Sequence, residues 1–224
     1  FVQGMFDKIA PKYDFLNRLL SLRQDVVWRT EMVKAARLKP GSRVLDVACG
    51  TCDVSLEIDR QLNGLADIFG LDFSYGMLAL GKGKTRHRNI PLINGDALNL
   101  PFGRKCFDGL FIAFGIRNIM DRQRALSSFY NVLKPGGRLA VLELTTPEKG
   151  LLKTLYLAYF QRILPLIGSF FSKDNHAYSY LPDSVLKFPT SIEFCGIMKQ
   201  SGFKDIRYKQ MTFGIVTLFI GKKD

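Results

Sequence analysis

Cysteine is scarce in this chain, with four residues in 224. That number is too small for the disulfide framework of a small secreted domain, so we expect a reduced, cytoplasmic protein. Cys49 and Cys52 form a C-x-x-C pair, but no second pair lies near it, so no zinc or other metal site is expected. The residues that follow the pair are not thioredoxin-like, which argues against a redox enzyme.

Two glycine-rich phosphate-binding motifs are also missing. The turn at residues 48–52 contains Gly50 but no second close glycine, so it lacks the G-x-G-x-x-G pattern that lets backbone approach a pyrophosphate. The P-loop pattern G-x-x-x-x-G-K-[ST] occurs nowhere in the chain. A nucleoside cofactor without phosphates, such as S-adenosylmethionine, therefore suits this turn better than NAD or ATP.

Acidic residues are few relative to basic ones. The chain has 32 lysines and arginines against 20 aspartates and glutamates, a net charge of +12. Such a balance suits nucleic acid, an anionic membrane or an acidic small molecule. The positive charges are spread along the chain and cluster only at residues 82–88. Without a basic stripe or an appended RNA module, nucleic acid is not the expected partner.

Uninterrupted apolar runs of membrane-spanning length are absent as well. The most apolar stretch, residues 151–171, is long enough to cross a bilayer but contains Lys153, Arg162 and Pro165. Each of the two charged side chains would cost about 2.5–3.5 kcal/mol at the membrane centre, which excludes a transmembrane helix. The stretch predicts amphipathic helices that cover the active site and touch lipid, or equally a buried pair of core helices.

What the chain does contain is a regular alternation of strands and helices. Two N-terminal helices precede it, with apolar residues at helical spacing from Phe6 to Leu20 and a second helix at 28–38. The predicted strands are 44–47, 67–71, 90–93, 107–114 and 138–144, followed by a hairpin-like pair at 203–209 and 213–220. Helices fall between the strands, one capped by Ser74 and one by Asp121. This order predicts a single α/β domain with a parallel sheet and right-handed crossovers.

Three acidic residues follow or end consecutive predicted strands: Asp46, Asp72 and Asp96. The carboxyl ends of parallel strands share one edge of the sheet, where open α/β folds bind their ligands. A carboxylate there can accept hydrogen bonds from ribose hydroxyls, and Asp96 could accept one from an adenine amine. The alternative is that these residues only cap turns and helices.

Longer motifs in the sequence carry a family resemblance. V-L-D-V-A-C-G-T-C-D (44–53), G-D-A-L-N-L-P-F (95–102), F-D-G-L-F-I-A-F-G-I-R-N-I (107–119) and L-K-P-G-G-R-L-A-V-L-E (133–143) resemble class I S-adenosylmethionine-dependent methyltransferases. F-D-K-I-A-P-K-Y-D (6–14), F-G-I-R-N (114–118) and A-Y-S-Y-L (177–181) are similar, more narrowly, to the ubiquinone/menaquinone biosynthesis C-methyltransferases, the UbiE/MenG family. This resemblance covers essentially the whole chain.

The resemblance implies a three-layer Rossmann-like fold. Its sheet would have seven mostly parallel strands with an antiparallel last strand. The single domain would comprise an N-terminal helical lid (1–40), a cofactor-binding core (41–145), a helical cap (146–195) and C-terminal strands (196–224).

The resemblance also implies the cofactor, S-adenosylmethionine, with S-adenosylhomocysteine as product. The implied cofactor contacts are Asp46, Gly50, Thr51, Asp72, Phe73, Asp96, Ala97 and Ala113. Two positions depart from the family pattern. Cys52 stands where the family usually has glycine, and a side chain there predicts a turn without a left-handed backbone. Ala113 replaces a serine or threonine, so one cofactor contact is expected to be lost.

The implied reaction is C-methylation of a polyprenyl hydroquinone, demethylmenaquinol or a benzoquinol precursor of ubiquinone. Arg117 and Asn118 would lie beside the ring, with Tyr13 closing over it. Arginine stays protonated up to about pH 12, so Arg117 would stabilise a phenolate or hold a water rather than act as a base.

The predicted cap adds Tyr178, Tyr180 and His176 as substrate-binding residues, although an ordinary surface histidine is the better explanation of His176. We expect peripheral contact with the inner face of the cell membrane, and a homo-oligomer stays open. The alternatives are a methyltransferase of RNA or another small molecule, and a cofactor-binding protein without catalysis.

Overall fold

Strands and helices alternate in the computed structural model, which describes residues 17–147 and 176–224 together with Gly4, Asp7, Ala10, Asp14 and Phe15. The elements are α1 (Gln24–Ala36), β1 (Arg43–Val47), α2 (Asp53–Gln61), β2 (Asp67–Asp72), α3 (Tyr75–Thr85), β3 (Leu92–Asn94), β4 (Phe107–Ala113), a 3₁₀ turn (Ile116–Asn118), α4 (Arg122–Val132), β5 (Leu133–Leu144), α5 (His176–Leu186), α6 (Ser191–Gln200), β6 (Lys204–Met211), a second 3₁₀ turn (Thr212–Gly214) and β7 (Val216–Lys222).

The seven strands form one sheet in the order β3-β2-β1-β4-β5-β7-β6. Strands β1 to β5 pair in parallel, and β7 runs antiparallel to both β5 and β6. The predicted mixed sheet with an antiparallel last strand is therefore confirmed. This strand order places β1 between β2 and β4, so the carboxyl end of β1 lies between theirs.

The core consists of two apolar clusters, one on each face of the sheet. Leu45 and Val47 of β1 contribute to one cluster, whereas Val44 contributes to the other. This division follows from the alternation of side chains along a strand. The first cluster includes Phe129 of α4 and Phe194 of α6, and the second includes Met32 of α1. Helices on both faces give the predicted three layers.

Several element boundaries differ from the predicted ones. Helix α1 begins at Gln24 and ends at Ala36, where Arg37 takes a left-handed C-cap conformation with φ 51°. Strand β3 is only Leu92–Asn94. Strand β5 begins at Leu133, which pairs with Phe107 before a bulge. The predicted caps are confirmed, because Ser74 accepts from the Met77 amide and Asp121 from the Arg124 amide.

The apolar stretch 151–171 lies outside the described residues, as do several positions of the predicted N-terminal helix. Within the described residues, none of the helices has the length and apolarity needed to cross a bilayer.

Candidate active site

The loop after β1 has an unusual backbone. Ala48, Gly50 and Cys52 all have positive φ, at 52°, 53° and 70°. The prediction that Cys52 avoids a left-handed conformation is wrong. For a residue with a side chain this conformation costs roughly 1–2 kcal/mol.

Two contacts offset the strain at Cys52. Its amide donates to the Cys49 carbonyl at 2.8 Å, which closes a tight turn, and its carbonyl accepts from the Leu56 amide at the start of α2. Its side chain is fully buried in a small cluster with Cys49 and Leu78. The thiol lies so close to α3 that a Cβ added at Gly81 would be 2.6 Å from the Cys52 sulfur. Packing against α3 therefore holds the loop in a conformation that the residue type alone disfavours.

Asp46 lies near the end of β1 and is buried. Its Oδ2 accepts hydrogen bonds from the Ser55 amide at 3.0 Å and the Ser55 hydroxyl at 2.6 Å. Its Oδ1 is buried and has no partner in the part of the chain that the structure describes, and burial raises the pKa of Asp46 to about 7. Because an unpaired buried oxygen is costly, this atom fits a ligand that brings a donor or a positive charge.

Asp72 connects the loops that follow β1 and β2. Its Oδ2 accepts from the Gly50 amide and its Oδ1 from the Ser74 amide, both at 2.8 Å. Burial raises the pKa of Asp72, against the lowering effect of these hydrogen bonds. Asp96 is exposed and accepts from the Leu98 amide at 2.9 Å. The structure thus brings all three predicted carboxylates to the carboxyl edge of the adjacent strands β1, β2 and β3.

A cavity opens beside this loop, lined by Arg29, Asp46, Ala48, Cys49, Gly50, Thr51, Asp53, Val54, Ala113 and Phe114. Sequence reasoning missed Arg29, which is buried in α1. Its Nη1 lies 2.5 Å from Asp25 and 3.6 Å from Asp53. Burial alone would raise the pKa of Asp53, but Arg29, Lys84 and Arg18 together hold it below its ordinary value.

Two carboxylates of the N-terminal segment contact the loops after β1 and β2. Asp14 accepts from the Thr51 hydroxyl at 2.6 Å and from the Lys84 ammonium at 2.9 Å. Asp7 accepts from the Ser74 hydroxyl at 2.5 Å and from the Gly76 amide at 3.1 Å. Both aspartates belong to the motif 6–14, and this motif is the sequence feature from which they could have been identified. No sequence motif pointed to Lys84, whose ammonium group donates hydrogen bonds to Asp14, Thr51 and Asp53.

A second group of polar side chains follows β4. Arg117 lies in the 3₁₀ turn with only 7% of its side chain exposed. Its Nη1 donates to Glu143 Oε1 and to the Phe114 carbonyl, both at 2.6 Å, and its amide donates to Glu143 Oε2 at 3.1 Å. Among the described residues, its buried Nε has no hydrogen-bond partner. Sequence reasoning missed Glu143, although a carboxylate inside an otherwise apolar strand was a usable signal.

Asn118 contacts the predicted cap. Its Oδ1 accepts from the Tyr180 hydroxyl of α5 at 3.0 Å. Burial raises the pKa of Tyr180, Arg117 and Arg122 lower it, and Glu143 raises it. Arg117, Asn118 and Tyr180 therefore lie in one cluster. Tyr13 and the side chains of His176 and Tyr178 lie outside the described residues.

This arrangement agrees with the comparisons with known proteins. Residues 1–223 match the model of the ubiE/COQ5 methyltransferase family. The chain belongs to this family. It is similar to the ubiquinone/menaquinone biosynthesis C-methyltransferase UbiE of Geobacter sulfurreducens, with 49% identity over 99% of this chain and 88% of that protein. It is also similar to the demethylmenaquinone methyltransferase of Thermus thermophilus, with 43% identity over 98% of this chain and all of that protein.

Solved structures agree on the fold of this family member. An S-adenosylmethionine-dependent methyltransferase from Thermotoga maritima superimposes with a TM-score of 0.69 at 20% identity, and all of both chains is covered. The predicted fold class and the assignment as a methyltransferase are confirmed. The comparisons assign no residue a role, so the predicted site residues stay predictions.

The contact between Gly81 and Cys52 makes a prediction about stability. Glycine to alanine in a helix normally stabilises by about 1 kcal/mol. Gly81→Ala should instead lower the free energy of unfolding by about 2 kcal/mol, because the new methyl group meets the Cys52 sulfur. In a Cys52→Gly background the same change should be neutral or stabilising. Urea unfolding of the four proteins measures the coupling, and an equal effect in both backgrounds would contradict it.

Asp46 makes a prediction about pH. In the unliganded folded protein the raised pKa keeps a proton on this carboxyl group up to about pH 7, whereas the pKa of the free group is 3.8. The folded state therefore binds more protons in this window, and stability falls as pH rises through it. Asp46→Asn should remove this fall. Between pH 5 and pH 8 the free energy of unfolding of the variant should therefore rise by about 2–3 kcal/mol relative to that of the wild type. Urea unfolding at both pH values measures it; parallel pH dependence in the two proteins would refute it.

Proposed function

We propose that this protein transfers a methyl group from S-adenosylmethionine to a ring carbon of a polyprenyl hydroquinone, converting demethylmenaquinol to menaquinol. A benzoquinol precursor of ubiquinone is the second substrate of the same class. The names of the relatives from Geobacter sulfurreducens and Thermus thermophilus support the substrate class. The observation that carries the proposal is the pair of sites at the adjacent ends of β1 and β4, one rich in carboxylates and one containing Arg117.

The residues around the loop after β1 fit the cofactor. Asp72 would accept from the ribose hydroxyls, with Phe73 beside it, and Asp96 with Ala97 would hold the adenine. The unpartnered oxygen of Asp46 would accept from the ammonium group, near Gly50 and Thr51. Ala113 also lines this cavity, where its methyl group offers packing but no hydrogen bond. When bound, the cofactor supplies an electrophilic methyl group on a cationic sulfur.

The residues after β4 fit the other reactant. A hydroquinone ring carbon becomes nucleophilic when the neighbouring hydroxyl loses its proton, since the charge spreads onto the ortho carbon. The buried Nε of Arg117 has no partner among the described side chains, and in this proposal it donates to the phenolate oxygen that results. Asn118 and Tyr180, joined by their hydrogen bond, would pack against the ring. Tyr13, Tyr178 and His176 would complete the pocket.

Arg117 is poorly suited to take the proton itself. Arginine stays protonated at any physiological pH, and here Glu143 and the Phe114 carbonyl both accept from its Nη1. We therefore favour phenolate stabilisation over the alternative in which Arg117 acts as a base. The planar guanidinium can hold Glu143 with one edge and present Nε with another, which an ammonium group cannot do.

The substrate's tail places the reaction at the inner face of the cell membrane in this proposal. A net charge of +12 favours contact with an anionic membrane surface. The apolar stretch 151–171 favours contact with the interfacial region of the bilayer. Apolar side chains at the start of α1 and before it are exposed, including Phe15 at 62%, Leu22 at 81% and Val27 at 52%. These residues would supply contacts with the lipid surface.

Radiolabelled methyl transfer tests the function directly. The purified protein should label a short-chain demethylmenaquinol analogue on a ring carbon. The same analogue in its oxidised quinone form is the matched control, and it should stay unlabelled because it cannot form a phenolate. Bulk tRNA should also stay unlabelled. Transfer to tRNA without transfer to the quinol would overturn the proposal in favour of an RNA methyltransferase.

Arg117 supplies a sharper test. Arg117→Lys keeps the charge but loses the planar fork, so kcat should fall about 100-fold, nearly as far as in Arg117→Met. The KM for S-adenosylmethionine should stay within about twofold, because the cofactor residues lie on the other loop. Steady-state kinetics with the quinol analogue measure both. A lysine variant that keeps most of the wild-type kcat would show that charge alone suffices.

A further inference from the structure

Arg122, the first residue of α4, lies beside the proposed substrate pocket and has no role so far. Its Nη2 donates to the Arg117 carbonyl at 3.0 Å, and its guanidinium carbon lies 5.6 Å from the centre of the Phe188 ring. Like that of Arg117, its buried Nε has no hydrogen-bond partner within residues 17–147 and 176–224. Two guanidinium groups thus leave buried donors unsatisfied at one place, which is costly unless a ligand accepts from them.

The charges around Arg122 do not cancel. Burial lowers the pKa of Arg122, while the nearby Glu143 and Tyr180 raise it. Glu143 forms its close ion pair with Arg117, not with Arg122. Asp121, the preceding residue, is exposed and accepts from the Arg124 amide. Among the described residues, the group therefore holds two positive charges against one buried negative charge, a surplus of one.

We propose that Arg122 is a second substrate-binding cation, which supplies the uncompensated positive charge that stabilises a phenolate oxygen of the bound hydroquinone. Glu143 neutralises Arg117 and fixes its direction, so Arg117 acts as an oriented hydrogen-bond donor and Arg122 provides the net charge. The hydroxyl proton leaves to water, and no further reactant is needed. This inference rests on the proposed function and extends it to a residue outside the F-G-I-R-N motif.

The charge effect can be measured without turnover. The probe is 1-naphthol, whose naphtholate form has its own absorbance band, titrated on the protein saturated with S-adenosylhomocysteine. Wild-type protein should bind naphtholate more tightly than naphthol, so that the pKa of bound naphthol falls below its value in water. Removing a cation within a few ångströms in a partly buried site should raise that pKa by about one unit. This shift changes the ratio of bound naphtholate to bound naphthol tenfold at a given pH.

The variants are chosen to separate charge from structure. Arg122→Met keeps the aliphatic stem that packs near Phe188 and should raise the pKa of bound naphthol by about one unit. Arg122→Lys should keep it within a few tenths of the wild type. Arg124→Met is the matched control, since Arg124 is an exposed arginine of the same helix and its Nη2 donates to Asn99 Oδ1. This variant should leave the pKa of bound naphthol unchanged. Thermal unfolding checks that each variant is folded.

Three results would overturn the inference. They are an unchanged pKa in a folded Arg122→Met variant, an equal shift in Arg124→Met, and wild-type protein that does not prefer naphtholate. If Arg122→Met fails to fold, a pKa shift in Arg122→Lys as large as one unit also counts against it. Methyl transfer by the wild type is scored separately. Turnover of the quinol analogue without a charge effect refutes only the role of Arg122, whereas naphtholate binding without turnover refutes the proposed function.

Discussion

Two buried carboxylates hold the backbone of the loop after β1, and the rest of the site depends on them. Asp72 accepts from the Gly50 amide, and Asp46 accepts from the Ser55 amide at the start of α2. Burial raises the pKa of both groups, so the fold keeps these acceptors at a cost in stability. In return their positions are fixed before any ligand arrives, which lowers the ordering cost of binding.

The carboxylates and the arginines occupy neighbouring parts of one sheet edge. Asp46 ends β1, and Arg117 follows β4, the strand that pairs with β1. A cationic methyl donor would be attracted to the carboxylates and a phenolate to the arginines. The sheet order thus places the two charge environments at the ends of neighbouring strands. The ion pair between Arg117 and Glu143 crosses from the turn after β4 to β5, so the same sheet order creates it.

Local patterns made much of this predictable. Alternating apolar runs predicted the strands, serine and aspartate at helix starts predicted the caps of α3 and α4, and strand-end carboxylates predicted the acidic edge. The left-handed Cys52 could not be predicted from residue type, because its strain is offset by packing against Gly81, 29 positions further along. The pairing of Arg117 with Glu143 was hidden for a similar reason, since it requires β4 and β5 to be neighbours.

The N-terminal segment is coupled to the loop after β1 through the Thr51 hydroxyl. A hydroxyl has one proton to donate, and here that proton goes to Asp14, while the oxygen accepts from Lys84. A ligand that needs a donor from Thr51 must therefore displace Asp14. One that brings its own donor can share the oxygen and leave the contact intact. An ammonium group is of the second kind and a carboxylate of the first, so the bond from Thr51 to Asp14 is compatible with an ammonium group at this hydroxyl and not with a carboxylate that needs its proton.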